Sequence, residues 1–361
     1  MGACDYLVFP HPNPLPKGEG IASLLPPGEG SGMREHCEMD ELTLARHIRE
    51  IGRGKNAARD LSQEDAQALF AAMLAGRVPD LQLGGILIAL RVKGESLAEL
   101  AGFAAACEES YAHLPPPEGR VPVVIPSYNG ARQLPNLVPL LALTLAREGI
   151  PVLVHGVTED PGRVTTREVF AALGIAPARS HAEALEQLAA KRVSFLPIDT
   201  LAPGIAAMLA LRKRLGVRSS AHTLVKMLQP FAGPALRIVS VTHPEYLVRM
   251  REYFTQHDTA ALLLRGAEGE AVAHPRREPA IEWLFNGRAQ TWSPDPVRPE
   301  RSDAESKDER GLSMPSSRDA DVTARWIESV LSGQAPMPAA IAHQVECCVS
   351  AVATLTQHSE C

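Results

Sequence analysis

Hydrophobic residues recur along this chain with two different periods. Between residues 39 and 117 they return every three or four positions, which is the spacing of amphipathic helices. Ser62 is a typical N-terminal cap and Gly76 a typical helix terminator. Residues 81–92 are apolar on nearly every face, which predicts a helix buried at a domain or subunit contact. We therefore expect a small all-helical domain, with helices at residues 42–51, 62–76, 81–92 and 96–113.

From residue 118 to residue 361 the pattern changes to short β-branched runs that alternate with helical segments. Strand, loop and helix repeated in this order form parallel βαβ units, and such sheets bind ligands at the carboxyl ends of their strands. Two loops, residues 127–136 and 155–165, are therefore the places to look for function. The predicted strands are 121–125, 150–154, 193–198, 236–242 and 260–264, and the predicted helices are 139–148, 166–173, 182–191, 204–215, 244–255, 322–331 and 339–355.

The expected fold class is thus α/β, with a small N-terminal all-helical domain (residues 39–117) and a larger α/β domain (residues 118–361) that has a mostly parallel sheet. Residues 204–216 are helical and are candidates to join the helical domain. Two segments have no period. The composition of residues 1–38 predicts a disordered extension or a mis-assigned translation start. Residues 293–321 are rich in Pro, Ser and both signs of charge, which predicts a mobile insertion.

Composition narrows the function classes. Of the 361 residues 45% are hydrophobic, 22% are charged and only 4% are aromatic, which is ordinary for a globular protein and gives few rings for base stacking. We find no apolar run that approaches the length of a membrane span and no secretory signal. The six cysteines include no CxxC pair, so we expect reduced thiols in a cytoplasmic protein, without metal or cofactor.

The distribution of charge is more informative than the net charge of −6. Between Asp199 and Glu245 there is no acidic residue, although several basic residues fall there. A protein that is acidic overall can still present a basic groove to a phosphate chain, because the local potential decides binding. The basic residues of this segment that we single out are Arg212, Lys213, Arg214, Arg218 and Lys226.

Several motifs together resemble anthranilate phosphoribosyltransferase, a member of glycosyl transferase family 3. They include GGILIALRVKGES at residues 84–96, His155-Gly156, and LRKRLGVRSSAHTL at residues 211–224. With IPSYNGAR at residues 125–132 and HPEY at residues 243–246, the chain resembles more narrowly the YbiB-type DNA-binding branch. This resemblance implies the two-domain fold, a preference for single strands with weak sequence choice, and a homodimer joined through the helical domain.

The chain departs from the enzymes of this family at three places. Their glycine-rich loop GTGGD, whose bare backbone approaches a pyrophosphate, is replaced by SYNGAR at residues 127–132. Their KHGNR motif is replaced by VHGVT at residues 154–158. Their magnesium-holding Asp-Glu pair is replaced by separated carboxylates, Glu268 and Glu270, which could bind a metal only weakly. We therefore expect no conventional phosphoribosyl transfer and assign no catalytic residue.

Three hypotheses remain open. The first is a nucleic-acid-binding protein for single-stranded DNA or RNA, which uses the basic residues named above together with Lys55, Lys93 and Arg132 and retains a vestigial phosphoribosyl pocket at Ser127, Asn129, Gly130, His155 and Gly156. The second is a transferase with an altered donor or acceptor, in which His155 is an acid or a base, or else a hydrogen-bonded structural histidine. The third is a regulatory protein that binds a partner through residues 293–321.

Overall fold

The structure, a computed structural model, describes residues 40–54, 57–277, 279–292 and 314–359. The chain divides into two compact units, Met1–Cys37 and Glu38–Cys361, and the described residues all belong to the second. The expectations for residues 1–38, for Lys55 and for residues 293–313 therefore lie outside the described residues.

Four helices form the N-terminal part: α1 (Glu41–Ile51), α2 (Gln63–Leu74), α3 (Asp80–Lys93) and α4 (Leu97–Glu108). Ser62 caps α2 by accepting a hydrogen bond from the backbone N–H of Asp65, as its sequence position predicted. Ser96 and Glu99 form a capping box at the start of α4. Gly102 allows α4 to lie against α2, because a Cβ atom at this position would stand 2.3 Å from the backbone oxygen of Gln63.

The second part is a seven-stranded sheet in the order β3-β2-β1-β4-β5-β6-β7. The first five strands are parallel, whereas β6 and β7 are antiparallel additions at one edge. The mostly parallel sheet and the helical N-terminal part confirm the expected fold class. The strands are β1 (Val123–Ser127), β2 (Val152–Gly156), β3 (Val193–Pro197), β4 (Leu236–Ser240), β5 (Ala261–Leu264), β6 (Ile281–Phe285) and β7 (Arg288–Trp292).

Helices cover both faces of the parallel part of this sheet, so strands β1 to β5 are buried on both sides. Val123 and Ile125 belong to one core, and Val124 belongs to the other. The helices of this part are α5 (Val138–Arg147), α6 (Thr166–Ala172), α7 (His181–Lys191), α8 (Ile198–Leu201), α9 (Pro203–Ala210), α10 (Arg212–Leu215), α11 (Ala221–Leu224), α12 (Pro244–Gln256), α13 (Ala320–Leu331) and α14 (Ala339–Ser359).

Helix α9 packs against α2 of the N-terminal part as well as against its sequence neighbours α8 and α10. A Cβ atom at Gly204 would lie 2.8 Å from the backbone oxygen of Leu74, so glycine is needed for this approach of α9 to α2. Ile205 and Met208 are buried in the same core as the N-terminal helices. The segment that carries the basic residues is therefore held between the helical part and the sheet.

Three details of the sequence prediction are wrong. The first strand does not end at residue 125, because β1 continues to Ser127 and pairs with β2 along its whole length. The hairpin of β6 and β7 was not predicted. The expected insertion at residues 293–321 ends too late, since α13 already begins at Ala320. In the single chain only Ile86, Leu87 and Leu90 of α3 are buried, so the expectation that this helix is buried at a contact stays a prediction.

Helix α14 also departs from the expectation that no segment is long and apolar enough for a membrane. Among the described residues it is one such helix, over Ala339–His358, by length and composition. Half of that segment is buried within the fold, where Ile341, Cys348 and Ala351 join the core on one face of the sheet. A core helix of a globular domain passes the same test.

Candidate functional site

The two predicted loops meet where β1 and β2 end. Gly156 lies against the end of β1, and a Cβ atom there would be 2.1 Å from the backbone oxygen of Ser127. Gly130 has a φ of +61°, and a Cβ atom there would lie 3.0 Å from the backbone oxygen of Val164. Only glycine allows both close approaches, which together place residues 127–134, the amide loop, across the carboxyl edge of the sheet.

A carboxylate from a distant part of the chain fills the centre of the amide loop. Oε1 of Glu270 accepts hydrogen bonds from the backbone N–H groups of Asn129 (2.5 Å) and Gly130 (2.7 Å). Oε2 of the same side chain accepts a hydrogen bond of 2.5 Å from Oγ of Ser127. Glu270 is only 3% exposed. Consecutive backbone N–H groups that converge on one point form an anion-binding nest, and here the anion is a side chain of the same protein.

Glu268 binds the other half of the loop in the same way. Its carboxylate accepts hydrogen bonds from the backbone N–H groups of Arg132 (2.7 Å), Gln133 (3.0 Å) and Leu134 (3.3 Å). Glu268 itself has a φ of +52°, an uncommon conformation for a residue with a side chain, and Gly269 follows with a φ of +89°. This tight turn directs both side chains, which we call the capping carboxylates (Glu268 and Glu270), at the amide loop.

The capping carboxylates therefore have a different role from the weak metal binding that the sequence suggested. Their oxygens accept hydrogen bonds from backbone N–H groups and from the hydroxyl of Ser127. Among the described residues there is no group of three or more His, Cys, Asp and Glu side chains that could hold a metal ion.

His155 lies on strand β2, near the carboxyl edge of the sheet, and not in a loop. It is fully buried, and its Nδ1 lies within hydrogen-bond distance, 2.6 Å, of the hydroxyl of Tyr128. Its Nε2 has no partner among the described residues. Burial lowers the pKa of His155 to about 3, so the ring is neutral at physiological pH. This geometry agrees with a hydrogen-bonded structural histidine rather than with an acid or base.

Four guanidinium groups lie close together beside the amide loop, and two of them bind it. Arg218 donates a hydrogen bond of 2.5 Å to Oδ1 of Asn129, and Arg163 donates one of 2.7 Å to the backbone oxygen of Asn129. Arg91 donates to the backbone oxygen of Arg218 at 3.0 Å. We call Arg91, Arg163, Arg212 and Arg218 the arginine cluster. Asp160 is the carboxylate that lies among them, 3.6 Å from Arg212 and 4.0 Å from Arg163.

The ionisation of neighbouring groups reports the positive potential of this cluster. The pKa of Arg218 is lowered, first by burial and then by Arg212, Arg163 and Arg91, despite the opposing effect of Asp160. Burial, followed by Arg218 and Arg212, lowers the pKa of His222 to about 4. Burial also lowers the pKa of Lys226 to about 8, against the attraction of Glu270. The charge of the cluster thus exceeds what its own carboxylate compensates.

The three consecutive basic residues of α10, Arg212 to Arg214, have three different surroundings, because consecutive residues of a helix point in different directions. Arg212 joins the arginine cluster. Lys213 is exposed and lies 4.0 Å from Glu159, whereas Arg214 forms an ion pair of 3.1 Å with Asp80 on α3. The absence of acidic residues along this stretch of sequence was therefore misleading, since each of these side chains meets a carboxylate from elsewhere.

The other basic residues that the sequence predicted as nucleic-acid contacts also lie in different surroundings. The ammonium group of Lys93 lies 2.6 Å from Asp60 and 2.6 Å from Glu99, and its side chain is only 7% exposed. Lys93 is thus an internal ion-pair partner, and we remove it from the candidate contacts. The ammonium of Lys226 donates to the backbone oxygens of Ser240 and Gly269. Arg132 is an exposed residue of the amide loop itself.

Sequence reasoning missed Arg91 and Arg163. Neither belongs to a run of adjacent basic residues, and only the fold brings them to Arg218. Arg163 lies in one of the two loops that the βαβ pattern marked as functional, so its position offered a signal. Arg91 offered none, because it lies on a helix more than a hundred residues before Arg218.

Comparison with known proteins agrees with this fold. Residues 46–110 match the helical bundle domain of a glycosyl transferase family. The chain is 45% identical over 306 residues to the uncharacterized protein YbiB of Escherichia coli (strain K12), an alignment that covers 84% of this chain and 92% of that protein. The chain belongs to the YbiB family.

Enzymes of known activity are more distant from this YbiB-family chain. An anthranilate phosphoribosyltransferase of Yersinia pestis (strain Pestoides F) is 27% identical over 241 residues, which cover 66% of this chain and 72% of the enzyme. The crystal structure of the Thermus thermophilus enzyme matches with a TM-score of 0.64 and 23% identity, over 86% of this chain and 88% of that one. The Saccharomyces cerevisiae enzyme in complex with PRPP and Mg matches with a TM-score of 0.66 and 17% identity, over 85% of this chain and 87% of that one. These structures share the anthranilate phosphoribosyltransferase fold with the YbiB-family chain.

Proposed function

We propose that this YbiB-family protein binds single-stranded nucleic acid, DNA or RNA, with little sequence preference. The observation that carries the proposal is the arginine cluster at the carboxyl edge of the sheet, in which Arg163 and Arg212 flank Asp160 while Arg91 and Arg218 add further positive charge. Such a group attracts phosphates without reading bases, because phosphate contacts position a strand but carry no sequence information. Lys213 borders the same cavity as Arg212, Lys226 borders the same cavity as Arg91 and Arg218, and the exposed Arg132 of the amide loop stays a further candidate contact.

We further propose that the protein has lost phosphoribosyl transfer. The resemblance to the enzymes implies that the amide loop occupies the position of the glycine-rich loop that holds pyrophosphate in those enzymes. Here the N–H groups of Asn129 and Gly130 already donate to Glu270, and those of Arg132 and Gln133 donate to Glu268. A pyrophosphate would have to displace both carboxylates and would meet their negative charge. A transferase with altered donor or acceptor is therefore the less favoured function.

A second copy of the chain is the partner that we propose for the helical part. Leu81 and Val92 of α3 are 86% and 59% exposed, and Ile88 between them is 41% exposed. With Gly84 and Gly85 they line an open cavity of about 710 Å³ between α3 and α1. Exposed apolar surface of this kind marks an interaction site, and the resemblance implies a homodimer through this domain. The free thiols Cys107, Cys347 and Cys348 fit the reducing cytoplasm that we propose as its location.

Binding can be tested with a fluorescently labelled oligo-dT of about twenty nucleotides, measured by anisotropy over a series of salt concentrations. We expect Arg218→Ala and Arg212→Ala each to weaken binding and to reduce the slope of log affinity against log salt by about 0.7, the value for one phosphate contact on a single strand. Arg288→Ala is the matched control, because Arg288 is exposed on β7 at the far edge of the sheet. It should leave the slope unchanged.

An unchanged slope in both cluster variants would contradict the proposal. The enzymatic alternative is tested separately, by incubating the protein with phosphoribosyl pyrophosphate, magnesium and anthranilate. We expect no product. Turnover at this step would show that the capping carboxylates do not block the donor.

A further inference from the structure

A second cavity opens beside the arginine cluster. It has a volume of about 390 Å³ and lies between α9 and the loop that follows β2. Val157, Ile198, Ala206 and Leu209 form its apolar wall, and the ring of Tyr128 also borders it. A volume of this size is near the lower end of the range for small-molecule sites, which is roughly 300–1,000 Å³. The cavity therefore has room for one small ring system.

The rim of this cavity is mixed in charge. Arg212 and Lys213 lie on it, and so do Glu159, Asp160 and Asp199. Glu159 and Asp160 are matched by Lys213 and Arg212 in ion pairs. Asp199 is exposed and has no ion-pair partner among the described residues. A free anion would meet these carboxylates, so the chemistry favours a neutral ring that carries hydrogen-bond donors, with a negative group outside, next to Arg212.

The cavity lies next to the proposed phosphate contacts. His222 borders it and also borders a smaller cavity of about 160 Å³, lined by Arg91, Arg218 and Lys226 among others. A strand with a phosphate at Arg218 would therefore present its next base at the mouth of the larger cavity. Proteins that bind single strands commonly combine a cationic track with sites that take up unstacked bases.

We propose that this cavity receives one unstacked nucleobase of the bound strand, and that Asp199 favours bases with an exocyclic amino group, which are adenine, cytosine and guanine, over thymine and uracil. The proposal rests on the proposed function, because it needs a strand at the arginine cluster. It adds a binding site for a base to what would otherwise be contacts with phosphates alone. The amino preference follows from the carboxylate, which accepts hydrogen bonds but cannot donate them.

Two neighbouring alanines on α9 provide the test. Ala210 is exposed and borders the cavity, and Ala207 is exposed on the same helix but does not border it. Ala210→Leu should occupy part of the cavity, whereas Ala207→Leu is the matched control with the same added volume and helix propensity. Ala206→Leu, deeper in the wall, is a second filling variant, and circular dichroism should establish that all three are folded.

The probes are an oligo-dC of twelve nucleotides, an oligo-dT of the same length, and an abasic strand with the same number of phosphates. For the wild type we expect oligo-dC to bind about tenfold more tightly than the abasic strand and more tightly than oligo-dT, since taking up one base is worth roughly that factor. Ala210→Leu should lose this advantage for oligo-dC and bind the abasic strand as the wild type does. Ala207→Leu should leave all affinities unchanged.

The failures of the two proposals are distinguishable. If the wild type binds the abasic strand as tightly as oligo-dC, or if Ala210→Leu weakens both strands equally, the base site is overturned while strand binding at the arginine cluster stands. Equal affinity for oligo-dC and oligo-dT overturns the role of Asp199. If the wild type binds none of the three strands, the proposed function itself fails.

Discussion

The carboxylate of Glu270 accepts a 2.7 Å hydrogen bond from the backbone N–H of Gly130, a residue 140 positions earlier in the chain. This bond makes the amide loop a closed anion site whose anion is covalently part of the protein. The neighbouring Arg218 is bound to Asn129 of the same loop, so the loop also holds a guanidinium at its outer side. One short segment thus separates an inner site, filled by carboxylates, from an outer surface that is cationic.

Removing the carboxylate of Glu270 should destabilise the protein and expose an anion site. Glu270→Ala leaves the N–H groups of Asn129 and Gly130 and the hydroxyl of Ser127 without their acceptor, which should lower the free energy of unfolding by about 3 kcal/mol. Urea denaturation measures this loss. Inorganic phosphate should then raise the melting temperature of the variant more than that of the wild type, because the ion can take the vacated position.

The matched control is Glu159→Ala, in which an exposed glutamate is removed. The side chain of Glu159 is 84% exposed, so its loss should change the free energy of unfolding by less than about 0.5 kcal/mol. A Glu270→Ala protein as stable as the wild type, or one that phosphate does not stabilise, would argue against the anion-site interpretation.

The relationship between Glu270 and Gly130 shows what the sequence could and could not predict. The βαβ pattern at residues 121–173 located the carboxyl edge of the sheet, because strand and helix periods are local properties of the chain. The capping carboxylates were visible in the sequence as separated acidic residues, but their partners lie about 140 residues away. Nothing local indicates that the turn around Glu268 points back at the amide loop.

The basic residues likewise show that a local sequence pattern does not reveal the partners of a side chain. Arg212 and Arg218 were identified from a stretch without acidic residues, and both lie in the arginine cluster. Arg214 and Lys93 were chosen for the same reason of charge, yet their partners Asp80 and Glu99 come from other helices or turns. Charge along a sequence therefore gives candidates, and the fold decides which of them are compensated.

Lys93 should act on stability and not on binding. Its ammonium compensates Glu99, which is fully buried, so Lys93→Met leaves a buried carboxylate without its ion-pair partner. Breaking one side of a buried pair costs about 3–5 kcal/mol, and we expect the free energy of unfolding to fall by that amount. Urea denaturation measures the loss, with Lys213→Met as the exposed control. If folded Lys93→Met protein showed a changed salt slope for strand binding, the internal role would be contradicted.

His155 should make stability depend on pH in a defined window. Its pKa is lowered to about 3 in the folded protein, against about 6.5 for an ordinary histidine, so the unfolded chain binds more protons between these values. The free energy of unfolding should therefore fall as the pH decreases from 6.5 towards 3, by up to about 1.4 kcal/mol per pH unit from this group, and this group should add no pH dependence above that window. His222, with a pKa lowered to about 4, acts in the same direction.

Replacing His155 with a residue that does not titrate isolates its contribution to the pH dependence of the free energy of unfolding. His155→Gln should show a smaller decrease in the free energy of unfolding between pH 6 and pH 4 than the wild type, when both are measured by urea denaturation at matched ionic strength. His222→Gln should remove a similar share, because its lowered pKa lies in the same range. Identical slopes for the wild type and His155→Gln would show that His155 is not held neutral by burial.

The exposed face of α3 should decide the oligomeric state. Ile88 is 41% exposed on this face, between Leu81 and Val92, and a charge at its position would have to be buried in the proposed homodimer. Ile88→Lys should therefore convert the dimer to a monomer at micromolar concentration in analytical ultracentrifugation. Val248→Lys on α12 is the matched control, because Val248 is also β-branched and is 47% exposed. A wild type that sediments as a monomer, or an Ile88→Lys variant that remains dimeric, would exclude this face as the interface.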